Sequence, residues 1–399
     1  MNHRRLWIAL ALSGWSLPAF ALQEPAEDRS SVELTPEARA AADRLDATLP
    51  ADSEARVMLE SILSGVGMKG GNGWFRVAVP QSRYDWENLA ERFDADRSGV
   101  IEAREFPGEA DDFRAIDRNG DGGVTSADLA WEAEKGSPEF RGLSNRIDRD
   151  GDGRLTREEL VGWAERTAGE DEAISLEELR RRVAPPESEL RERKQAPSAS
   201  TLILGLERQE IGSHQAGPAL DEAAPDFELV STAGETIRLS DRIGERPIVL
   251  IFGNYTCSPF RAQAGNLERL YRRYGDRATF LMVYVREAHP EDGWASDNNA
   301  RLGVEVLQPT TFDQRMEVAR SCTAHLGFDV PVLVDTLGDE VGHAYSGGPA
   351  RLYLIDRAGK VAFKGGRGPH FLLPSQLESA LVWLLADDRG PSGDESSTD

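Results

Sequence analysis

This chain of 399 residues contains only two cysteines, Cys257 and Cys322. One bridge at most can form, and a single disulfide, worth about 2–4 kcal/mol, is a poor staple for so long a chain. A disulfide-dense scaffold is therefore excluded. Long apolar runs are lacking too. The run from Leu6 to about Leu17 falls short of the ~20 residues that cross a bilayer, and no later run approaches that length. Basic residues are in deficit, with 46 Lys and Arg against 69 Asp and Glu and a formal net charge of −23. Such a surface repels a phosphate backbone, so no nucleic-acid partner is expected and cations suit it better.

The N-terminus, MNHRRLWIALALSGWSLPAFA, joins a basic stretch, a short apolar run and small residues at Ala19 and Ala21. That is the pattern of a secretory signal peptide over residues 1–21, with an uncleaved anchor as the alternative. Export to a periplasmic or extracellular space, with no transmembrane segment in the mature chain, is the expectation. Residues 22–81 form a helical N-terminal region, in which Thr35 caps a helix opening at Pro36. Residues 82–182 are acidic and repetitive, and 183–223, with PPESELRERKQAPSAS, read as a linker carrying one apolar patch, LILGL. From 224 to 386 short apolar runs alternate with helical stretches, the layout of an α/β domain. Residues 387–399, ending GPSGDESSTD, are expected to be disordered.

The acidic repeats carry the first chemistry. Asp148, Asp150, Asp152, the Arg154 carbonyl and Glu159 occupy every oxygen-donating place of a twelve-residue loop that turns on Gly153. Asp117, Asn119, Asp121, the Gly123 carbonyl and Asp128 repeat it, as do Asp94, Asp96, Ser98, the Val100 carbonyl and Glu105. This is the spacing of the EF-hand calcium loop, whose carboxylates cage a hard cation. The apolar eighth residues, Ile101, Val124 and Leu155, allow neighbouring loops to pair through a short strand. The alternative is a set of solvated Asp-Gly turns that bind nothing. A fourth candidate from Thr167 lacks carboxylates at its first and third places and reads as an empty partner loop. Only eleven residues separate the first two loops, so adjacent motifs must share or truncate helices. Structural calcium, stabilising the fold without gating activity, is therefore expected rather than a sensor that opens.

The second chemistry centres on NYTCSPF, directly after the apolar run PIVLIFG. The order strand, loop, helix predicts Cys257 at a helix N-terminus, where the dipole and free amides favour a thiolate. No second cysteine stands at Tyr255, Ser258 or Phe260, so a CxxC exchanger is excluded and a one-cysteine mechanism, or one using Cys322, is implied. Beyond the run TFLMVYV, the cluster REAHPEDGW places Glu287 and His289 on the rim where open α/β sheets bind ligands. They are candidates for a proton-donating pair, with ordinary surface residues as the alternative.

NYTCSPF, EAHPEDGW, VPVLVDT, RLYLID and GGRGP resemble, in order and spacing, the iodothyronine deiodinases over about residues 224–386. The resemblance implies a thioredoxin-like fold, giving a multidomain chain with an all-α EF-hand module before an α/β thioredoxin-like domain. It implies reductive removal of iodine from an aromatic ring, with Cys257 where the family carries selenocysteine. Glu287 and His289 fall on the family's Glu and His, Arg367 on its substrate-gripping arginine, and Pro349 on a cis-proline. Two departures stand out: Tyr255 lies where some members have a cysteine, and Pro309 where the family has a second histidine. Cys322 is either a buried bystander or a resolving thiol, and His325, His343 and His370 read as surface or rim residues.

The reading is an exported calcium-binding thiol oxidoreductase that acts on an iodinated or halogenated aromatic with Ca2+ and an external thiol reductant. One rival is a peroxiredoxin-like peroxidase using Cys257. The other is a non-enzymatic calcium-binding protein with an inactive redox domain.

Overall fold

The computed structural model describes residues 32–51, 53–65, 78–130, 147, 155–168, 173–176, 179, 197–368 and 371–388. The expected signal peptide and nearly all of the expected tail lie outside them.

Helix α1 (Pro36–Thr48) opens as its sequence dictates, with Thr35 Oγ1 accepting from Ala38 N at 3.2 Å. Ala38, Ala41, Ala42 and Leu45 recur at helical spacing and are buried. Ser53 caps α2 (Glu54–Leu63) by accepting from Arg56 N at 3.1 Å. Strand β1 (Gln81–Ser82) follows, then α3 (Trp86–Phe93), β2 (Ile101–Glu102), α4 (Ala110–Ile116), β3 (Gly123–Val124), α5 (Ser126–Leu129) and α6 (Arg157–Ala168). The short α4 is the helix that the first two acidic loops share.

Next come α7 (Ala199–Glu207), β4 (Glu228–Ser231), β5 (Thr236–Arg238), β6 (Ile248–Gly253), α8 (Ser258–Tyr274) and β7 (Thr279–Tyr284). They are followed by α9 (Asp297–Arg301), α10 (Phe312–Leu326), β8 (Val332–Val334), α11 (Glu340–Ala344), β9 (Arg351–Ile355), β10 (Val361–Lys364) and α12 (Pro374–Asp387).

The linker expected over 183–223 is corrected from residue 197 onward. Ser198 caps α7, whose Leu202, Ile203 and Leu206 complete one buried cluster with α1 and α2. A polar linker sequence ends where LILGL begins, because that apolar stretch gains more by burial than by solvation. Gln81, the last residue of the expected N-terminal region, and Ser82, the first of the expected acidic module, form β1 on the edge of the main sheet.

Eight strands make that sheet in the order β1-β10-β9-β6-β7-β8-β4-β5. The middle is β6 parallel to β7 and β7 parallel to β8, flanked by antiparallel β9 and β4. This is a thioredoxin-like arrangement. Side chains alternate along β6: Val249 and Ile251 join the core under α8, α10 and α12, while Ile248, Leu250 and Phe252 pack on the other face.

The acidic module is not a separate bead. Ile101 pairs with Val124 in the strand bridge that their loop positions predict. Phe93 and Phe106 both lie 4.9 Å from the Trp383 ring of α12, and Leu89, Ile101, Phe113 and Val124 share the core of the sheet.

Candidate active site

Cys257 is the N-cap residue of α8, directly after β6, as the strand-loop-helix order requires. The loops after β6 and β7 and the loop before β9 meet around it through buried polar bonds. Asn254 Nδ2 donates to Pro349 O at 3.1 Å, while its Oδ1 accepts from Thr256 Oγ1 at 3.1 Å and from Ala288 N at 3.2 Å. Thr256 N donates to Glu287 Oε2 at 2.8 Å, and His289 N donates to Thr256 Oγ1 at 3.0 Å. Both residues of the EAH motif are thereby tied to the residue preceding the cysteine. Thr256 and Asn254 are wholly buried and Glu287 is nearly so.

Burial pushes the Glu287 carboxyl pKa upward, although Tyr284 and Thr256 donate to it. Tyr284 accepts from Tyr255 N at 3.0 Å, so its own hydroxyl proton is free to go to Glu287 Oε1. His289 Nδ1 lies 3.0 Å from Trp294 O, an acceptor only, so Nδ1 carries the proton and Nε2 is left unprotonated on the neutral ring. Burial lowers the His289 pKa and favours that neutral form. A carboxyl whose pKa is raised and an imidazole held neutral, both tied to the cysteine loop, make an acid–base pair suited to proton transfer.

One expectation is corrected here. The helix N-terminus was expected to favour the Cys257 thiolate, yet burial raises the thiol to about 11 against the help of Phe260 N–H and Arg261. With 2 % of the residue exposed, desolvation outweighs the dipole. Cys322, at 1 % exposure, is raised by burial and then by Glu287, and it senses Cys257 electrostatically. The two cysteines are free thiols in one core.

Arg261 and Asn299 were not legible as site residues. Arg261 reaches back to Tyr255 O and donates to Asn299 Oδ1 at 2.6 Å, while Asn299 Nδ2 donates to Thr256 O at 2.8 Å. A buried guanidinium thus clasps the cysteine loop and supplies positive charge to the thiol. Arg261→Met is expected to slow alkylation of Cys257 at mildly alkaline pH about ten-fold, because one pKa unit is a ten-fold change in thiolate. Arg261→Lys should retain most of the rate. A pH profile unmoved by the loss of charge would leave Arg261 a packing residue.

A cavity of about 90 Å³ opens beside this cluster, lined by His289, Trp294, Pro349, Ile211, Arg286 and His343 among others. Cys257 and Glu287 do not line it, so a substrate reaches the sulfur only if the loops shift. The Gly348–Pro349 peptide is cis, as the resemblance implies. His325 is exposed and its ring lies 5.7 Å from that of Tyr255, whereas His370 lies outside the described residues. Arg367 is not at the cavity wall. It is fully buried, donating to Ser346 Oγ at 2.6 Å and ion-paired to Glu54 at 3.0 Å. In this closed arrangement Glu54 and Ser346 occupy the guanidinium that the resemblance assigns to a substrate's anionic end.

The acidic loops fit calcium unequally. Carboxylate oxygens of Asp94, Asp96 and Glu105 lie within 4.8 Å of one another, a cage of the right chemistry for a hard cation. Ser98 N donates to Asp94 at 2.9 Å, which shapes the loop. In the second loop Asp128, one methylene shorter than glutamate, is bonded by Arg118 N at 3.0 Å and Thr125 N at 2.9 Å. Of the third loop Asp148, Asp150, Asp152 and Arg154 lie outside the described residues. Glu159 accepts from Thr156 N at 2.8 Å.

Residues 204–384 match the iodothyronine deiodinase family. EF-hand models match 110–130 and 145–161 ahead of that deiodinase domain, leaving out the first loop although it pairs with the second. The thyroxine 5-deiodinase of Gallus gallus is 35% identical over 163 residues, covering 40% of this chain and 60% of that protein. The type I iodothyronine deiodinase of Xenopus laevis is 31% identical over 160 residues, 40% of this chain and 61% of its own. The thyroxine 5-deiodinase of Homo sapiens is 32% identical over 174 residues, 43% of this chain and 53% of its own. The chain thus spans between half and two thirds of the length of these relatives. Among solved structures, a putative thiol:disulfide interchange protein DsbE from Chlorobium tepidum is 20% identical over 42% of this chain and 99% of its own. Its TM-score of 0.32 is too low to bear on function. No helix among the described residues is long and apolar enough to cross a membrane.

Proposed function

We propose that this protein is a thiol-dependent reductive dehalogenase of iodinated aromatics, acting after export, in which calcium holds the N-terminal module folded. The observation that carries the reading is the buried chain of bonds from Glu287 and His289 through Thr256 to the Cys257 loop, within the deiodinase domain.

The Cys257 thiolate attacks iodine, the carbon–iodine bond breaks, and the ring carbon takes the electron pair and a proton delivered by Glu287 and His289. Cys257 becomes a sulfenyl iodide, oxidised by two electrons. An external thiol displaces iodide to give a mixed disulfide, and a second thiol restores Cys257 while the reductant leaves as its disulfide. Cys322, buried in the same core, can take the place of the first thiol. Asp94, Asp96, Ser98, Val100 and Glu105 would hold one calcium and the second loop another. Calcium supplies charge neutralisation to the loops and enters no step of the chemistry.

One observation favours a second reading. A thiol at 2 % exposure, off the cavity wall, is more accessible to peroxide than to a ring. Turnover of an iodinated thyronine and of hydrogen peroxide, compared with excess dithiol, separates the two. Iodide release well above peroxide consumption supports the dehalogenase, and the reverse supports a peroxidase.

A further inference from the structure

We infer that the Asn119–Gly120 pair in the second acidic loop is a spontaneous modification site, where the asparagine loses its amide nitrogen while the loop is open and keeps it while a cation holds the loop closed. The chemistry needs no enzyme. Gly120 N attacks Asn119 Cγ, the bond from Cγ to Nδ2 breaks, and ammonia leaves with the proton that Gly120 N gives up. Water then opens the five-membered imide at either carbonyl, leaving aspartate or isoaspartate at position 119. Nothing is oxidised or reduced.

The three loops differ at this place. Their third residues are Asp96, Asn119 and Asp150, so the second loop alone sets a labile amide before a glycine. Asn119 and Gly120 are both exposed. A Cβ built on Gly120 would meet nothing within 4 Å, so no packed side chain shields its nitrogen. The backbone does not demand glycine there either: Gly120 has φ 70, and Arg97, at the same place in the first loop, adopts φ 58. What the glycine supplies is access.

The closed loop guards the pair. Asn119 Oδ1 accepts from Asp121 N at 2.9 Å and Asn119 Nδ2 donates to Asp121 Oδ2 at 2.8 Å. Gly120 N, the attacking atom, donates to Asp117 Oδ1 at 2.9 Å. These bonds must break before the nitrogen reaches Cγ, and in an exposed loop water competes for each of them, so local opening sets the rate. The side-chain oxygen of the third residue is a calcium ligand in loops of this kind, which gives an ion its own hold on Asn119. That protection rests on the proposed calcium role of this loop, whereas the reaction does not. The two products differ in consequence. Aspartate supplies the carboxylate that Asp96 supplies in the first loop, while isoaspartate adds a methylene to the main chain and breaks the ligand spacing.

Ageing the purified full chain at mildly alkaline pH, in chelator or in calcium, tests this by peptide mapping that separates aspartate from isoaspartate. Asn72–Gly73, the other such pair in the sequence, serves as a clock in the same digests. Asn119 is expected to convert in chelator, and calcium at about ten times its dissociation constant should slow that about ten-fold while leaving Asn72 unchanged. Gly120→Arg, which copies the first loop, should lose most of the conversion in chelator. If that variant does not fold, the comparison of chelator with calcium in wild type decides alone. Calorimetric titration of aged wild type should lack one calcium-binding event that Asn119→Asp retains. The same titration of fresh protein shows whether the loop fills, which tells a site that calcium fails to protect from one that it does not occupy. Asn119 left intact in chelator, equal slowing of Asn119 and Asn72 by calcium, or a folded Gly120→Arg that converts as fast as wild type would overturn the inference.

Discussion

Glu287→Gln is expected to lower the rate of iodide release by about 10²–10³, in the range of a lost general acid. The amide can still accept from Thr256 N, which donates to the native carboxylate at 2.8 Å, so the loop should keep its shape while losing its transferable proton. The pH dependence separates the two roles. Burial raises the Glu287 pKa, so the folded state holds this proton above the pH at which an exposed glutamate has lost it. Activity in the wild type should fall as pH rises through that raised value, and the glutamine variant should lack this limb of the profile. The same shift fixes the sign for stability. A raised acid contributes stability present below its ordinary value, lost as pH rises through the folded one. A variant with wild-type kcat/KM and an unchanged profile would remove Glu287 from the relay.

The largest structural effect is expected at Glu378, which lies in α12 at 0 % exposure. Arg269 of α8 donates to its two oxygens at 3.0 and 3.2 Å, and Tyr274 donates at 3.0 Å. Arg118, the residue after Asp117 in the second acidic loop, pairs with it at 2.9 Å. One buried carboxylate therefore joins the second acidic loop to the helix that Cys257 caps. Breaking such a pair from one side costs about 3–5 kcal/mol, because the remaining charges stay buried. Glu378→Gln should lower Tm by about 10 °C, at roughly 2–4 °C per kcal/mol for a chain of several hundred residues. Burial would raise this carboxyl, but Arg269 and Arg118 hold it below its ordinary value of 4.5. Its contribution is thus present above that value and lost as pH falls through the depressed one, an acid limb that the glutamine variant should lack. Thermal melts with and without calcium check both points, and a variant as stable as wild type would mean the module and the α/β domain are coupled elsewhere.

Cys257 was legible because its signal is local: an apolar run, a turn and a helix in sequence fix an N-cap position whatever the rest of the chain does. Glu287 and His289 were legible as a cluster at the end of a strand, and the acidic loops by their spacing. Ile101 and Val124 even specified the strand bridge that pairs two of those loops. What escaped were contacts between residues far apart in the chain. Glu54 meets Arg351 across 297 positions, and no pattern within α2 marks it, rather than Glu60, as the glutamate that reaches the core. Arg261 and Asn299 belong to two helices, α8 and α9, whose approach depends on how the chain after β7 folds back. The thiol pKa was misjudged for a related reason. A dipole is a local property of a helix end, whereas desolvation depends on everything packed around it.

In the linker stretch the apolar patch LILGL was legible from its composition, but which helices it would join was not, since its partners α1 and α2 lie about 140 residues earlier. Arg367 was placed by resemblance at a substrate's anionic end, and the helical pair lying over it has no counterpart in the matched region to warn of that cover.

The central claim is that the Cys257 sulfur is the atom that accepts iodine. It is tested most directly by mixing the purified protein with an iodinated thyronine in the absence of reductant and measuring iodide and the sulfur state. The account predicts a single stoichiometric burst of iodide in wild type, accompanied by an oxidised Cys257 or a Cys257–Cys322 disulfide, and none from Cys257→Ser. A burst that survives Cys257→Ser, or oxidation of Cys322 with Cys257 left as a thiol, would contradict it.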